Sequence, residues 1–589
     1  MKKLSFYALG AGLLLTAASC SNEMPEAPAE RGDLSTNFIS VNILNSVGGG
    51  TRAAADAGAN GNYENGLVAE NEITKVRLYF LNNSNGAFPV TADGKSYVDT
   101  NTFTEGTGEV PNVAKVISVT SAVEVDGQNF PSQVIAVLNP PTTILTDDAP
   151  SLSELNQAIA DYNITTSGNF VMSNSVYATG VGTSNAAKNE TVAITVDDFY
   201  TSPGAAEANP INIYVERVVS KVTLEMDLNN ETSTGSGGET LYNTGTVIKL
   251  GSEDIPVYVK LLGWNVTSTT NKSYLMKEIN PGWDPQLFGT NAGGTWEPWN
   301  YENYFRSFWA VNPSDVEYNY YNFGQGATQS DGDFAANANK DFTGVTPSYL
   351  QENAANDYTT GAGANHPSQV IIAAQLCNSQ GTALPFANWA FGNYTISGLS
   401  IAFANSLANS VYYMDNGVKT SIDPKFITFV TAGSLNPNLM NYGETGRYYV
   451  YGNLTEAGEQ ETWVDAAGES LEPQEVNEKL QALGHAMIWN NGYTYYYFDI
   501  RHLGATATTS EVDGEEVTTY GPGYFGNVRN HVYKTVVNTI VGIGTPVWNP
   551  NEEIIPEKPN LEEDTYIAAV IKVLTWRIVN QSYELEWPI

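Results

Sequence analysis

Apolar and polar residues alternate with a period of two along much of this chain. In TKVRLYFLN, Val76, Leu78 and Phe80 fall on one face and Lys75, Arg77 and Tyr79 on the other, as in a strand with one buried side. AKVISVTSAVEV and SQVIAVLNPP continue the pattern, the second stopped by Pro140 and Pro141, which cannot donate to a ladder. NFISVNI aligns Ile39, Val41 and Ile43 on one face, with Ser40 and Asn42 on the other. NFVMSNSVYATG and ETVAITV follow. NPINIYVERVVSKVTLEMDL is long for a single strand and predicts a hand-over between two sheets around Glu216 and Arg217. Further strands are expected at IPVYVKLLGWNV, SQVIIAAQL, KFITFVTA and YTYYYFDIRHL.

Helical periodicity is confined to short stretches. SLSELNQAIADY places Leu152, Leu155 and Ile159 on one face, with Ser151 or Ser153 as cap. PQEVNEKLQALGHAM has Pro473 near its first turn and Gly484 near its end. No strand–helix–strand rhythm appears. The pattern predicts a mainly β chain of two tandem antiparallel β-sandwiches with a few short helices. The expected division is a first sandwich over 53–216, a second with long insertions over 217–550, and a spacer with a terminal strand over 551–589.

A length of 589 residues leaves room for cores of that size, and a formal charge of −37 argues against nucleic acid or anionic lipid as a partner. The two cysteines differ in role. Lys2 and Lys3, an apolar run from Leu4 to Ala18 and small residues before Cys20 make residues 1–20 a secretory signal, too short and wrongly flanked to span a membrane. The ending AASC resembles a bacterial lipobox, with Cys20 taking the lipid. Ser21 behind it leans toward the outer membrane. Cys377 is then left alone, and four scattered histidines offer no zinc site. A polar tether, SNEMPEAPAE, and an RGD tripeptide at Arg31–Asp33 begin the leader, residues 21–52.

Arg52 stands in GGGTRAAADAGANG, a tract of small residues behind the strand NFISVNI. Glycine-rich tracts are accessible to proteases, so Arg52 reads as the site of an arginine-specific cut that would free Ile39, Val41 and Ile43 to leave. The far end holds YIAAVIKVLTWRIV, apolar on both faces, behind the extended arm PVWNPNEEIIPEKPNLEED. Such a segment is either a strand of its own second sandwich or a strand donated to another copy. A head-to-tail donation of that sort does not close and builds a fibre.

Other candidates for chemistry are weaker. Trp296, Trp299 and Trp309, in the aromatic segment GTWEPWNYENYFRSFWAV, can stack on sugars or fill a core. Asp331–Phe334 has the start of a calcium loop without its later ligands. Arg501 with His502, and Arg529 with His531, lack a nucleophile and an orienting acid, which favours structural roles. No enzyme activity, metal or cofactor is expected. A surface glycan-binding lipoprotein that keeps Cys20 is the alternative function. A glycosidase would need two carboxylates about 5–9.5 Å apart.

The stretches NFVMSNSVYATG, YVERVVSKV, YFRSFWAV, YLQENAAN, YYYFDIRHLG, VRNHVYKTVVNTIVGIGTPV and YIAAVIKVLTWRIVNQSYEL, in that order from residue 170 to 585, resemble the Bacteroidales major fimbrial subunits (fimbrillins), most closely the shaft subunit of short fimbriae. The resemblance implies two transthyretin-like sandwiches and a lipoprotein precursor at the outer membrane. It also implies cleavage that leaves Ala53 as the first mature residue, and an extracellular fimbrium supporting adhesion and biofilm. It implies that Ile567, Ala569, Ile571 and Val573, or on the opposite face Val570, Leu574, Trp576 and Ile578, form the donated strand. The implied partners are copies of the chain, accessory fimbrial subunits, an arginine-specific protease and a surface receptor that no residue identifies.

Overall fold

The computed structural model of the chain describes residues 34–46, 66–106, 113–127, 129–141, 147–156, 159–160, 170–179, 187–279, 296–298, 305–307, 310–313, 316–324, 338–354, 366–440, 446–500, 507–512, 515–520, 525–555 and 577–585. Its first sheet is built mainly from β1 (Leu34–Ser46), β2 (Val76–Leu81), β3 (Tyr97–Thr100), β4 (Val113–Asp126), β5 (Gln133–Leu138), β6 (Met172–Asn174) and β7 (Ile211–Arg217). In space they run β3-β2-β5-β6-β7-β1-β4. Glu124 near one end donates its N–H to Val90 O, close to the other end, at 2.7 Å. The sheet thus curls around one core that includes Ile39, Leu78, Val119, Ile135 and Val215.

That curl changes one expectation. Every residue of β2 is buried, including the face expected to be wet: Tyr79 is 0% and Arg77 8% exposed. Alternation identifies the strand but does not report a sheet that covers both of its own sides. Arg77 is accommodated by Asp99, with Nε–Oδ1 at 2.7 Å and Nη2–Oδ2 at 2.9 Å, and it lies 3.9 Å over the Tyr97 ring. The first short helix, α1, is Leu152–Asn156. Ser151 and Glu154 bond reciprocally at its start, and Ile159 falls instead in a short strand against Tyr274.

After Val218 the chain enters other sheets. They contain β8 (Val219–Met226), β9 (Thr240–Leu250), β10 (Glu253–Thr267), β11 (Ser348–Gln351), β12 (Gln369–Cys377), β13 (Phe386–Trp389), β14 (Gly392–Tyr394), β15 (Met487–Trp489), β16 (Tyr493–Asp499), β17 (His531–Ile540) and β18 (Arg577–Leu585). One sheet runs β11-β8-β17-β18 and another carries β9-β10-β12-β16. Val222, Leu224, Trp264, Ile372 and Tyr533 belong to the core they share. The strands are antiparallel as expected except at β1–β7, β8–β17 and β17–β18, which are parallel.

Between β12 and β16 an insertion folds on its own core, with Phe403, Trp463 and Leu480 at its centre. It holds the expected helix, α3 (Pro473–Gln481), with Val476 and Leu480 buried, Pro473 in its first turn and Gly484 at φ +90° behind it. It also holds an unexpected one, α2 (Ile396–Leu407), capped by Thr395 and buried through Leu399, Phe403 and Leu407. Among the described residues no helix is long and apolar enough to cross a membrane.

Candidate assembly site

β1 lies inside the first sheet, with a neighbour on each side. All thirteen of its residues pair antiparallel with β4, and five of them pair parallel with β7. Ile39, Val41 and Ile43 are 0%, 0% and 1% exposed. Ile43 sits in register between Ile117 and Ile213. The polar face is satisfied as well: Ser118 Oγ donates to Asn42 Oδ1 at 2.7 Å, and Thr120 Oγ1 to Ser40 Oγ at 3.2 Å. Beyond the β7 pairing, Phe38 exchanges backbone bonds with Tyr200 at 2.7 and 2.8 Å. Withdrawing this strand would expose an apolar groove and two unpaired backbone edges.

The chain is fastened again just past the glycine-rich tract. A single turn of helix, Val68–Asn71, inserts Glu70 between the two sandwiches, where it is 0% exposed. Lys221 Nζ reaches Glu70 Oε1 at 3.0 Å, the Tyr349 hydroxyl donates to the same oxygen, and Arg217 Nε donates to Glu70 O at 2.9 Å. Arg217 also donates to Asn530 Oδ1 at 3.0 Å and to Asn71. Two more buried pairs line this junction: Lys277 with Glu216 at 3.1 Å, both fully buried, and Arg529 with Glu352 at 2.9 Å. Arg529 further donates to the carbonyls of Leu275 and Tyr274. His531 opens β17, its Nδ1 2.8 Å from Arg529 O. Arg529 and His531 are thereby structural.

This network was not among the sites expected from the sequence. A signal was present, since VERVVSKV carries Glu216, Arg217 and Lys221 inside an apolar run, and buried charges are ordinarily paired.

The sites named from the sequence meet the structure unevenly. β1 brings Ile39, Val41 and Ile43 together. Cys20, Arg52 and Ala53 lie outside the described residues, as do Trp299, Trp309, the Asp331–Phe334 stretch, Arg501 and His502. Trp296 opens a short strand opposite Ser307. Of the terminal segment, Ile567, Ala569, Val570, Ile571, Val573, Leu574 and Trp576 lie outside the described residues. Ile578 is in β18, opposite Val532, at one end of the strand order of the chain's own second sandwich. Among the described residues no cluster of His, Cys, Asp and Glu is arranged to hold a metal ion.

Comparison with known proteins adds the following. Among curated proteins none matches the chain. Solved structures that resemble it include a fimbrilin (FimA) from Porphyromonas gingivalis W83, 10% identical, covering 93% of this chain and 96% of that one with a TM-score of 0.34. The tip fimbrial protein Mfa3 of Porphyromonas gingivalis, with C-terminal truncation, is 11% identical over 58% of this chain and 78% of its own, at a TM-score of 0.24. A fimbrial assembly protein from Parabacteroides distasonis is 11% identical over 41% and 67%, at 0.22. Residues 487–582, which take in β15, β16, β17 and the start of β18, match the family described as major fimbrial subunit protein type IV, fimbrillin, C-terminal. That match does not single out the short-fimbria shaft subunit, but over these residues it bears out the family resemblance drawn from the sequence.

Proposed function

We propose that the chain is the structural subunit of a fimbrial shaft, exported as a lipoprotein precursor on Cys20, cut after Arg52 and polymerised by strand exchange. The mature subunit is read as two sandwiches, 53–216 and 217–550, with a donor arm over 551–589. β1 is the leader that cleavage discards. The terminal segment from Ile567 to Ile578 of another copy takes its place. Copies of the chain and accessory fimbrial subunits are then its partners. The outer membrane holds the precursor, and the mature protein stands outside the cell, supporting adhesion and biofilm formation.

The observation that carries this reading is the placement of β1. A strand in the interior of a sheet, with three fully buried side chains, is joined to the rest of the chain through a tract containing Arg52. A covalent cut there would leave β1 held by non-covalent contacts alone. N-terminal sequencing of protein sheared from cells tests it. Ala53 is the expected first residue, and a lipidated Cys20 in the sheared material would overturn the reading. Deleting residues 564–589 is expected to leave soluble monomers, and normal filaments from that truncation would equally defeat it.

A further inference from the structure

Two stretches of the chain share one pattern. NFISVNILNS, residues 37–46 of the leader, and KVLTWRIVNQ, residues 572–581 of the terminal segment, agree at all ten positions in being polar or apolar, with Ile43 matched by Ile578 and Asn45 by Asn580. No other alignment of residues 37–46 along 566–589 keeps that agreement. Both stretches read in the same chain direction. A strand seated by this pattern therefore runs as β1 does, parallel to β7 and antiparallel to β4.

The groove that β1 fills asks for more than apolar residues. Ser40, on the face opposite Ile39 and Val41, is only 2% exposed, so its place takes a small side chain whose polar atom is bonded. Its hydroxyl accepts from Thr120 Oγ1 at 3.2 Å. Asn42 is half-buried; it accepts from Ser118 Oγ at 2.7 Å and donates to Asn212 Oδ1 at 3.4 Å. With β1 gone, two hydroxyls and an amide oxygen are left for the next occupant to satisfy.

The shared register answers each of these demands. Leu574, Trp576 and Ile578 fall at the places of Ile39, Val41 and Ile43, Thr575 at that of Ser40 and Arg577 at that of Asn42. The threonine hydroxyl can accept from Thr120, and the guanidinium, which only donates, has Asn212 Oδ1 and Ser118 Oγ as acceptors. Trp576 alone is much larger than the residue it replaces. Seating it displaces side chains near Val119, opposite Val41, and buries more apolar surface than the leader does. A slip of one residue either way carries Arg577 into the core, and a slip of two carries Lys572 or Asn580 there. Two other runs fit less well. Tyr583–Trp587 would bury the Glu584 carboxylate at the place of Ser40, opposite Thr120 rather than a cation. Ile567–Ile571 would bring Ala568 and Val570 to the polar places and leave the groove's polar atoms without partners.

We propose that residues 572–581 of one copy fill the groove of β1 in the next in this register, fixed by Thr575 and Arg577, with Leu574, Trp576 and Ile578 turned inward; this rests on the fibre reading above. Arg577–Leu585 is β18, at the end of a sheet with β17 as its neighbour. On entering the groove, residues 577–580 give up β17 on one side for β4 and β7 on both.

Disulfide trapping in assembled fibres tests it. Asn42 lies directly opposite Ser118, so Arg577→Cys and Ser118→Cys are placed together in the full chain, expressed in cells that assemble fibres, and the sheared fibres are oxidised. The native Cys377 is silent, because burial pushes its thiol up to about 11. The double variant should give a reductant-sensitive ladder of dimers and higher multiples, and each single variant none. Where Arg577→Cys fails to assemble, Asn580→Cys with Lys115→Cys, on the rung of Asn45, reads the same register. Thr575→Ser should leave fibre growth unchanged and Thr575→Glu should stop it; equal growth of the two removes Thr575 from its role. A ladder from Val570→Cys or Glu586→Cys with Ser118→Cys instead overturns the register and leaves the fibre reading standing, as do fibres without a ladder from any pair. Fibres that retain residues 34–46, or failure of the unmodified chain to form fibres, overturn the fibre reading and the register with it.

Discussion

Ile43 offers a direct measure of how firmly the leader strand is held. It is 1% exposed and flanked in register by Ile117 of β4 and Ile213 of β7, so the backbone around it cannot easily close over a missing side chain. Ile43→Ala therefore costs about 2–5 kcal/mol, transfer and cavity terms together. After cleavage at Arg52 the leader is a separate peptide, and that cost falls on its dissociation constant, weakening it roughly 30- to 4,000-fold. Thr36→Ala, at an exposed position of the same strand, should change it by less than about 0.5 kcal/mol. The assay is native mass spectrometry of purified precursor cut by an arginine-specific protease, following the fraction that retains the leader after dilution. Retention in the Ile43→Ala protein within about twofold of the parent would refute the argument that buried contacts of β1 hold the leader. Equal losses from Ile43→Ala and Thr36→Ala would refute the assignment of faces.

The Lys277–Glu216 pair is fully buried, so Lys277→Met alone should cost about 3–5 kcal/mol by leaving a lone charge, while adding Glu216→Leu should restore most of it; urea unfolding of the single and double variants checks this. Burial would raise the Asp99 carboxyl, but bonds from Arg77 and Lys75 outweigh it and hold the group below its ordinary value. A value lowered by folding contributes stability that is present above the unfolded pKa and lost as pH falls through the folded one. Asp99→Asn should therefore show its largest deficit near neutral pH, closing as the pH falls below about 4, in melting temperatures taken along a pH series. The turn between β13 and β14 holds Ala390 and Phe391 at φ of +47° and +61°, so replacing Ala390 by Asn together with Phe391 by Gly should stabilise the monomer by about 1–3 kcal/mol, because Asn and Gly tolerate that conformation; calorimetry reads the gain.

How much of this was legible in the chain depends on how local the cause is. The strands β2, β4, β5 and β7 follow from alternation, and the change of sheet at Val218 falls inside the run that was too long for one strand. The helix α3 is marked by Pro473 and Gly484 because those residues act within a turn. α2 is not marked in the sequence because its exposed face carries Ser397, Ile401, Asn405 and Ser406 where charges usually mark a wet side. The placement of β1 between β4 and β7 joins residues 67 to 170 positions apart, and pairing at that range leaves no periodic trace. The ion pairs of Glu70, Glu216 and Glu352 are hidden for the same reason. Glu216 and Lys221 stand out in an apolar run, but Glu70, Lys277, Glu352 and Arg529 look ordinary in their own segments, and only the packing of the two sandwiches removes both members of each pair from water.

Both flanks of the glycine-rich tract are fastened, β1 into the first sheet and Glu70 into the junction, and this determines what a cut at Arg52 would accomplish. Cutting removes no contact of β1. It removes the tether, and with it an effective concentration of the order of millimolar. At micromolar leader the same contacts are about a thousandfold less occupied, a shift of roughly 4 kcal/mol, without any weakening of the sheet. An incoming strand then needs only to match the leader's contacts to win, provided it is itself carried on a neighbouring subunit. It follows that free leader peptide, residues 34–52, supplied at millimolar concentration to cleaved protein should slow fibre growth severalfold. The same peptide with Ile39, Val41 and Ile43 changed to serine should not. Light scattering with electron microscopy follows the growth. Equal growth with either peptide would mean that the groove of β1 is not where subunits join.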